Sequence, residues 1–301
     1  MNMNEAELDE VLEDEGAKAG NRFSNEGGGR ALALDGESAN RLSAHVRPTV
    51  VVLAGATGSG KTSVYAALYE RLGRGPFAGW CFAGSATIPG FEQRCHWWRS
   101  TSGGSEPFME HTRANDLPWL HIRLRDLEGR GSVRELLLGD FDGEIFEQFR
   151  DARMRPDELR FLRRADHVGL VLDGARIAAV TTLASELNQA RYLLDRLLKT
   201  DALAGPSALS ILVTKTDWFE SLGPPNRKRV EDSLAGFNGE ASIAAGEPVP
   251  LLRLAVRSIS SSFPLGHGLE TLLEVISLRP TLQVGDLSRI YRPITSMGRF
   301  A

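Results

Sequence analysis

The sequence predicts an α/β protein: a three-layer α/β/α sandwich on a mostly parallel sheet with one antiparallel hairpin strand. Three observations lead there. From Pro48 onward, short apolar runs alternate with helical patterns, as expected for strands covered on both faces by helices. The β-branched run Val50-Val51-Val52-Leu53 leads through a glycine-rich turn straight into a helical pattern. Two consecutive runs, Trp119–Arg125 and Val133–Gly139, are joined by the turn Glu128–Ser132 and read as a hairpin.

Taken in order, the first strand is Thr49–Ala54 and the helix after it Lys61–Leu72. Gly73–Pro118 shows little periodicity; a stretch that long in a compact domain is functional or holds elements the pattern does not reveal. Trp119–Arg125 alternates (Leu120, Ile122, Leu124), as a half-buried strand does, whereas Leu136-Leu137-Leu138 is continuously apolar, as a central strand is. Glu144–Arg164 is polar and helical in part, broken by Pro156. Val168–Leu172 is a buried strand. Ile177, Val180, Leu183, Leu187, Leu194 and Leu197 share one face of a long helix. Leu209–Val213 is the next strand, Pro224–Phe237 a helix, Leu251–Val256 a strand and Leu269–Leu278 the closing helix, with no internal repeat.

These elements bound a domain at 46–279, preceded by a tail at 1–45 and followed by a segment at 280–301 with no clear element. Met1–Glu15 is acidic and Gly16–Ala44 is rich in Gly, Ser and Asn; low hydrophobicity with like charge favours disorder there. A net charge of -4 gives no general electrostatic reason to bind nucleic acid. Cys81 and Cys95 are the only cysteines, too few for a disulfide scaffold, and their spacing with His96 is not that of a zinc site. No apolar run has the length of a membrane span, and the acidic N-terminus lacks the basic-then-apolar order of a secretory signal. A cytoplasmic protein is the expectation.

The glycine-rich turn carries the chemistry. Gly55, Gly60, Lys61 and Thr62 fit G-x-x-x-x-G-K-[ST], placed between a strand and a helix as that phosphate-binding loop requires. The backbone from Gly55 through Ala56, Thr57, Gly58, Ser59 and Gly60 to Ser63 would wrap phosphate oxygens with its amide hydrogens. Lys61 would bridge the β- and γ-phosphates, and Thr62 would ligate Mg²⁺. The sandwich is thereby a P-loop NTPase sandwich.

Thr214-Lys215-Thr216-Asp217 follows the strand Leu209–Val213 and matches [NT]-K-x-D, a guanine-recognition motif. The Asp217 carboxylate can accept from both N1–H and the exocyclic amine of guanine, whereas adenine offers no such pair and would leave it unpartnered. The Lys215 stem would lie over the base. GTP or GDP with Mg²⁺ is the expected ligand set.

An aspartate that holds the metal through water should close a strand as D-x-x-G. Asp126–Gly129 and Asp140–Gly143 both fit; Asp140 is chosen because its strand reads as central and Asp126 runs into the hairpin turn. The Gly143 amide would then sense the γ-phosphate. Glu144 follows, where a glutamine often orients the attacking water; a glutamate lacks the amide donor and adds negative charge, so slow hydrolysis without a partner is expected. As a first-turn carboxylate, Glu144 also suits a helix dipole. Ser258 and Ile259 stand where GTPases, which these motifs resemble, place a short S-A-x loop whose backbone touches guanine O6; the isoleucine departs from that pattern. Thr112 is a candidate switch threonine for Mg²⁺, with Thr87 the alternative, and Arg113 could supply a charge-stabilising guanidinium in cis. Trp97, Trp98 and Trp119 read as packing or partner-facing residues.

Gly55–Thr62, Asp140–Gly143 and Thr214–Asp217, in this order, resemble the translation-factor/Ras-like class of P-loop GTPases over roughly Pro48–Leu278. Gly75–Trp98 and Leu136–Phe146 resemble the bacterial double-GTPase group associated with conflict or defence gene neighbourhoods. The resemblance implies action alongside a second GTPase and effector components. A conformational switch would follow, with partner surfaces at 73–118 and 140–165 and no membrane role. An ATPase or nucleotide kinase on the same fold, and a nucleotide-binding scaffold with negligible hydrolysis, are the alternatives. Asp217 argues against the former; Glu144 favours the latter.

Overall fold

The strands are β1 (Thr49–Ala54), β2 (Trp80–Gly84), β3 (Trp119–Asp126), β4 (Val133–Gly139), β5 (His167–Asp173), β6 (Ala208–Thr214) and β7 (Leu251–Arg253). In the computed structural model, which describes residues 32–98, 117–127, 132–200, 203, 208–257 and 262–277, they form one sheet in the order β2-β3-β4-β1-β5-β6-β7. β1 runs parallel to β4 and β5, with Val50 opposite Leu137 and Val52 opposite Val168. β5, β6 and β7 continue in parallel. β3 alone is antiparallel to both its neighbours, pairing Leu120 with Leu138 and Cys81 with Arg125.

The helices are α1 (Gly36–His45), α2 (Lys61–Gly73), α3 (Ile88–Trp98), α4 (Gly143–Arg150), α5 (Gly174–Ala178), α6 (Leu183–Lys199), α7 (Pro224–Ala245) and α8 (Leu269–Ser277). Two 3₁₀ turns, Pro156–Arg164 and Thr216–Ser221, complete the described elements. Successive strand residues point to opposite faces, so β1 feeds two cores. Val50 and Val52 pack with Phe146 and Phe149 of α4, Leu187 and Leu194 of α6 and Phe237 of α7. Val51 and Leu53 pack with Val64 and Leu68 of α2, Phe91 of α3 and Leu272 of α8. Burying each such side chain contributes about 1.5–3 kcal/mol. The molecule is thus the anticipated α/β/α sandwich.

Several elements differ from the sequence reading. Gly36–His45, placed in the tail, is a helix: the Asp35 carboxylate caps it by accepting from the Ser38 amide at 2.8 Å, and Ala39 and Leu42 are buried. Residues 1–31 and 278–301 lie outside the described residues, and with them the acidic run and the 280–301 segment. The aperiodic stretch after Gly73 contains β2 and α3. Every residue of β2 is only half-buried, which leaves no alternation to read, and α3 holds Pro89 and Gly90 near its start. Phe91 is fully buried and stacks on Tyr69 at 4.6 Å, while Arg71 lies 4.3 Å above the Phe77 ring. Tyr69, Phe77 and Phe91 are thus engaged with neighbouring side chains. Trp119 likewise packs edge-on against Phe141 at 4.9 Å.

The single helix expected from Ile177 to Leu197 is two, α5 and α6. The β-branched Val180, Thr181 and Thr182 separate them, and the Thr182 hydroxyl donates to the Arg176 carbonyl at 2.5 Å. Pro156 opens a 3₁₀ turn instead of interrupting a helix. α7 runs past Phe237 to Ala245, where Gly246 ends it at φ 77°. β7 is shorter than Leu251–Val256.

Candidate functional site

The carboxyl ends of β1, β4, β5 and β6 gather at one rim of the sheet. After β1 the chain builds outward to β4 on one side and then crosses to β5 on the other. The crevice at such a switch point is where open α/β sheets bind ligands. The loop leaving β1 fills it.

Gly58 and Gly60 hold φ 76° and 94°, the left-handed region where a side chain is strained. Gly60 directly precedes α2, so the first amides of that helix face the loop. Lys61, 6% exposed, curls its ammonium onto the carbonyls of Gly55 and Ala56, both at 2.9 Å. Burial pushes its pKa down to about 8; the charges of Asp140, Asp142 and Glu147 resist that fall. The ammonium rests on carbonyls whose place the oxygens of a polyanion could take.

Asp140 follows β4 and is fully buried. Its Oδ1 accepts from the Thr62 hydroxyl at 2.7 Å. Asp126 sits at the opposite end of the hairpin: β3 pairs Trp119 with Gly139 at the site's rim and Arg125 with Val133 far from it. Among the described residues no group of three or more His, Cys, Asp or Glu could hold a metal. Mg²⁺ takes one or two hard protein oxygens and completes its shell with water and phosphate. The hydroxyl of Thr62 and the carboxylate of Asp140 are such a donor set.

Asp142 caps α4 by accepting from the Glu144 amide at 3.1 Å. Gly143 presses against the phosphate loop, so that a Cβ there would stand 2.1 Å from the Thr57 nitrogen and 2.4 Å from the Ala56 carbonyl carbon. One helical turn on, the Glu147 carboxylate accepts from the Thr57 amide at 2.8 Å. Glu144 itself is exposed and accepts from Gln148 at 3.2 Å.

The base-side motif is joined to the same loop. Thr214 ends β6, and its hydroxyl lies 2.7 Å from the Ser59 carbonyl and 3.1 Å from that of Leu172. Lys215, in the left-handed region at φ 52°, donates to the Gly58 carbonyl at 2.9 Å and to Asp173 at 2.7 Å. Asp217 lies in the first turn of the 3₁₀ segment Thr216–Ser221 and is 4% exposed. The structure thus brings together Gly55–Ser63, Asp140, Gly143 and Thr214–Asp217.

Other residues named from sequence lie apart. Thr87 is buried, and its hydroxyl accepts from the His121 amide at 3.0 Å, which commits it to β3. Thr112, Arg113, Ser258 and Ile259 lie outside the described residues, as do the side chains of Trp97 and Trp98. Three residues at the site were missed. Asp173 closes an apolar strand, the signal that identified Asp140, and could have been read. Glu147 lies one turn beyond Glu144. Arg94, whose Nε donates to Asp140 Oδ2 at 2.6 Å, stands 46 residues away in sequence, and no local pattern marks it.

Residues 49–276 match the family model described as Double-GTPase 2. A comparison with curated proteins gives no match. Among solved structures, the chain is similar to the signal recognition particle receptor SRb in the SRb-GTP/SRX complex from Chaetomium thermophilum. Identity is 16% over 76% of this chain and 99% of that one, with a TM-score of 0.43. It is also similar to the S. cerevisiae Ski7 GTPase-like domain bound to GTP, at 14% identity and a TM-score of 0.45, covering 79% of this chain and 51% of that one. The same domain bound to GDP and inorganic phosphate matches at 13% identity with the same coverage and TM-score. The chain therefore spans about half the length of the Ski7 chains.

Proposed function

The chain belongs to the Double-GTPase 2 family, and from that membership we propose a Mg²⁺-dependent protein that binds GTP, hydrolyses it to GDP and acts as a conformational switch. One observation carries the reading: the base-side motif is fastened to the phosphate loop through Thr214 on Ser59 and Lys215 on Gly58. A ligand spanning both would place its base at Asp217 and its phosphates among the amides between Gly55 and Ser63. Mg²⁺, when bound, would be held by Thr62 and by Asp140 through water, and would draw charge from the transferring phosphoryl group. Lys61 would leave the Gly55 and Ala56 carbonyls for the β- and γ-phosphates. Gly143, in contact with the loop, would report the γ-phosphate to α4, the element that changes with nucleotide state.

The same reading includes partner contact through 73–118 and 140–165, and a bacterial conflict or defence setting in the cytoplasm. The resemblance of Gly75–Trp98 and Leu136–Phe146 to the double-GTPase group supports that setting. The test is displacement of a fluorescent guanine nucleotide by GTP, GDP and ATP with Mg²⁺, on wild type and Asp217→Ala. Guanine preference of at least 100-fold in wild type, collapsing in the variant, is the expected result on the scale of a buried unpaired acceptor, about 3 kcal/mol. Equal displacement by ATP would refute it.

A second reading, a scaffold that binds without appreciable hydrolysis, draws on Glu144, whose carboxylate is engaged with Gln148 on the exposed face of α4. Single-turnover hydrolysis at saturating protein separates the two. A Mg²⁺-dependent rate well above that of Asp140→Ala ends the scaffold reading.

A further inference from the structure

Asp140 has two carboxylate oxygens, and both are engaged. Oδ1 accepts from the Thr62 hydroxyl at 2.7 Å, and Oδ2 accepts from Arg94 Nε at 2.6 Å. The carboxylate is fully buried and the arginine side chain 15% exposed, so little water screens the pair. Arg94 is anchored on its own helix. Its Nη1 donates to the Gly90 carbonyl at 3.0 Å, and Phe91 and Cys95 of the same helix are fully buried. The guanidinium therefore reaches Asp140 from an anchored helix.

We infer that Arg94 is a positioning residue, the internal counter-ion of Asp140 that competes with Mg²⁺ for that carboxylate. The inference rests on the proposed guanine-nucleotide site. Two effects follow from the geometry. A divalent cation held by Thr62 and Asp140 would meet a carboxylate already ion-paired, and the guanidinium bonded to that carboxylate would repel it, so Arg94 weakens metal binding. In the absence of metal, the nucleotide phosphates would face Asp140 with its charge unopposed were Arg94 not there, so Arg94 supports metal-free binding. Both effects act in one direction on a single ratio, the nucleotide Kd in EDTA divided by the Kd in excess Mg²⁺. Loss of a mere packing contact would weaken both affinities together and leave that ratio alone.

The test uses the full chain and fluorescent GDP as the probe. In Arg94→Gln the ratio is expected to rise about tenfold over wild type, the change that a neutralised charge pair at a partly buried site produces. Arg94→Lys keeps the charge but not the planar fork, and should fall between the two, about threefold above wild type. It decides the matter should the glutamine variant fail to fold. A ratio in either folded variant that equals wild type, or falls below it, overturns the inference while leaving the guanine site intact. Failure of the wild-type chain to bind fluorescent GDP at all would instead overturn the proposed function, and this inference with it.

Discussion

Nucleotide binding should draw a proton from solvent at Lys61. In the free protein, burial holds this ammonium at about 8, below the ordinary 10.5 of a lysine. Bound phosphates would surround it with negative charge and restore the higher value. The sign follows. A group whose pKa is low when free and high when bound favours binding while protonated, and the favour is lost as pH rises through the free value. Proton uptake equals the fraction deprotonated in the free protein: about 0.1 at pH 7, about 0.5 at pH 8 and about 0.9 at pH 9. The Kd should therefore change little from pH 6.5 to 7.5 and approach a tenfold rise per unit above pH 8, toward a limit of about 3 kcal/mol. Lys61 is almost wholly buried, so solvent screening takes little from that figure. Calorimetric titration of GDP at pH 8, in buffers of differing ionisation enthalpy, reads the uptake directly. Heats independent of buffer, with a level Kd from pH 7 to 9, would refute the assignment of Lys61 to the phosphates.

Two further perturbations test the frame around the site. Gly143→Ala drives a Cβ into the backbone of Thr57 and Ala56, atoms that cannot swing aside, and overpacking of this kind costs about 1–3 kcal/mol. Its urea midpoint should fall and its GDP affinity weaken about tenfold, since the displaced backbone is the phosphate loop itself; two unchanged values would mean the contact is not close in solution. His167, buried on β5 beside Ser210 at 2.9 Å, is pushed by burial down to about 4 and stays neutral in the fold. The unfolded chain takes up that proton near 6.5, so stability should drop as pH falls from there to 4, by about 3 kcal/mol in all. His167→Asn, which keeps a partner for Ser210 and does not titrate, should lose correspondingly less between pH 7 and 4.5 in urea unfolding. Equal losses would rule out a neutral buried imidazole.

The parts of the molecule legible in sequence are those whose physics is local. β1, β4, β5 and β6 are central strands and carry apolar runs such as Val50–Leu53, Leu136–Leu138 and Ile211–Val213; the phosphate loop needs glycine at positions with left-handed backbone, and so spells itself out. β2 was hidden because half-burial erases period, and α3 because Pro89 and Gly90 stand near its start. The division between α5 and α6 was hidden for a different reason. Ile177 and Leu183 are buried in the same core on either side of the break, so the apolar face looks continuous across residues that are not helical. At the site, Asp140 and Thr214–Asp217 could be placed because each closes a strand. The contacts that bind them into one unit, Thr214 to Ser59 across 155 residues and Arg94 to Asp140 across 46, arise only in three dimensions.

The fastening of Thr214 and Lys215 to the carbonyls of Ser59 and Gly58 also bears on how a nucleotide would be captured. A glycine-rich loop left to itself samples many shapes, and each encounter would have to select one. Here the loop and the Thr214–Asp217 segment are ordered against each other as the chain folds, so that entropy is lost once and not at every association. The cradle is preorganised. For such a site, capture varies little among related ligands, and the rate of escape sets how long each one stays.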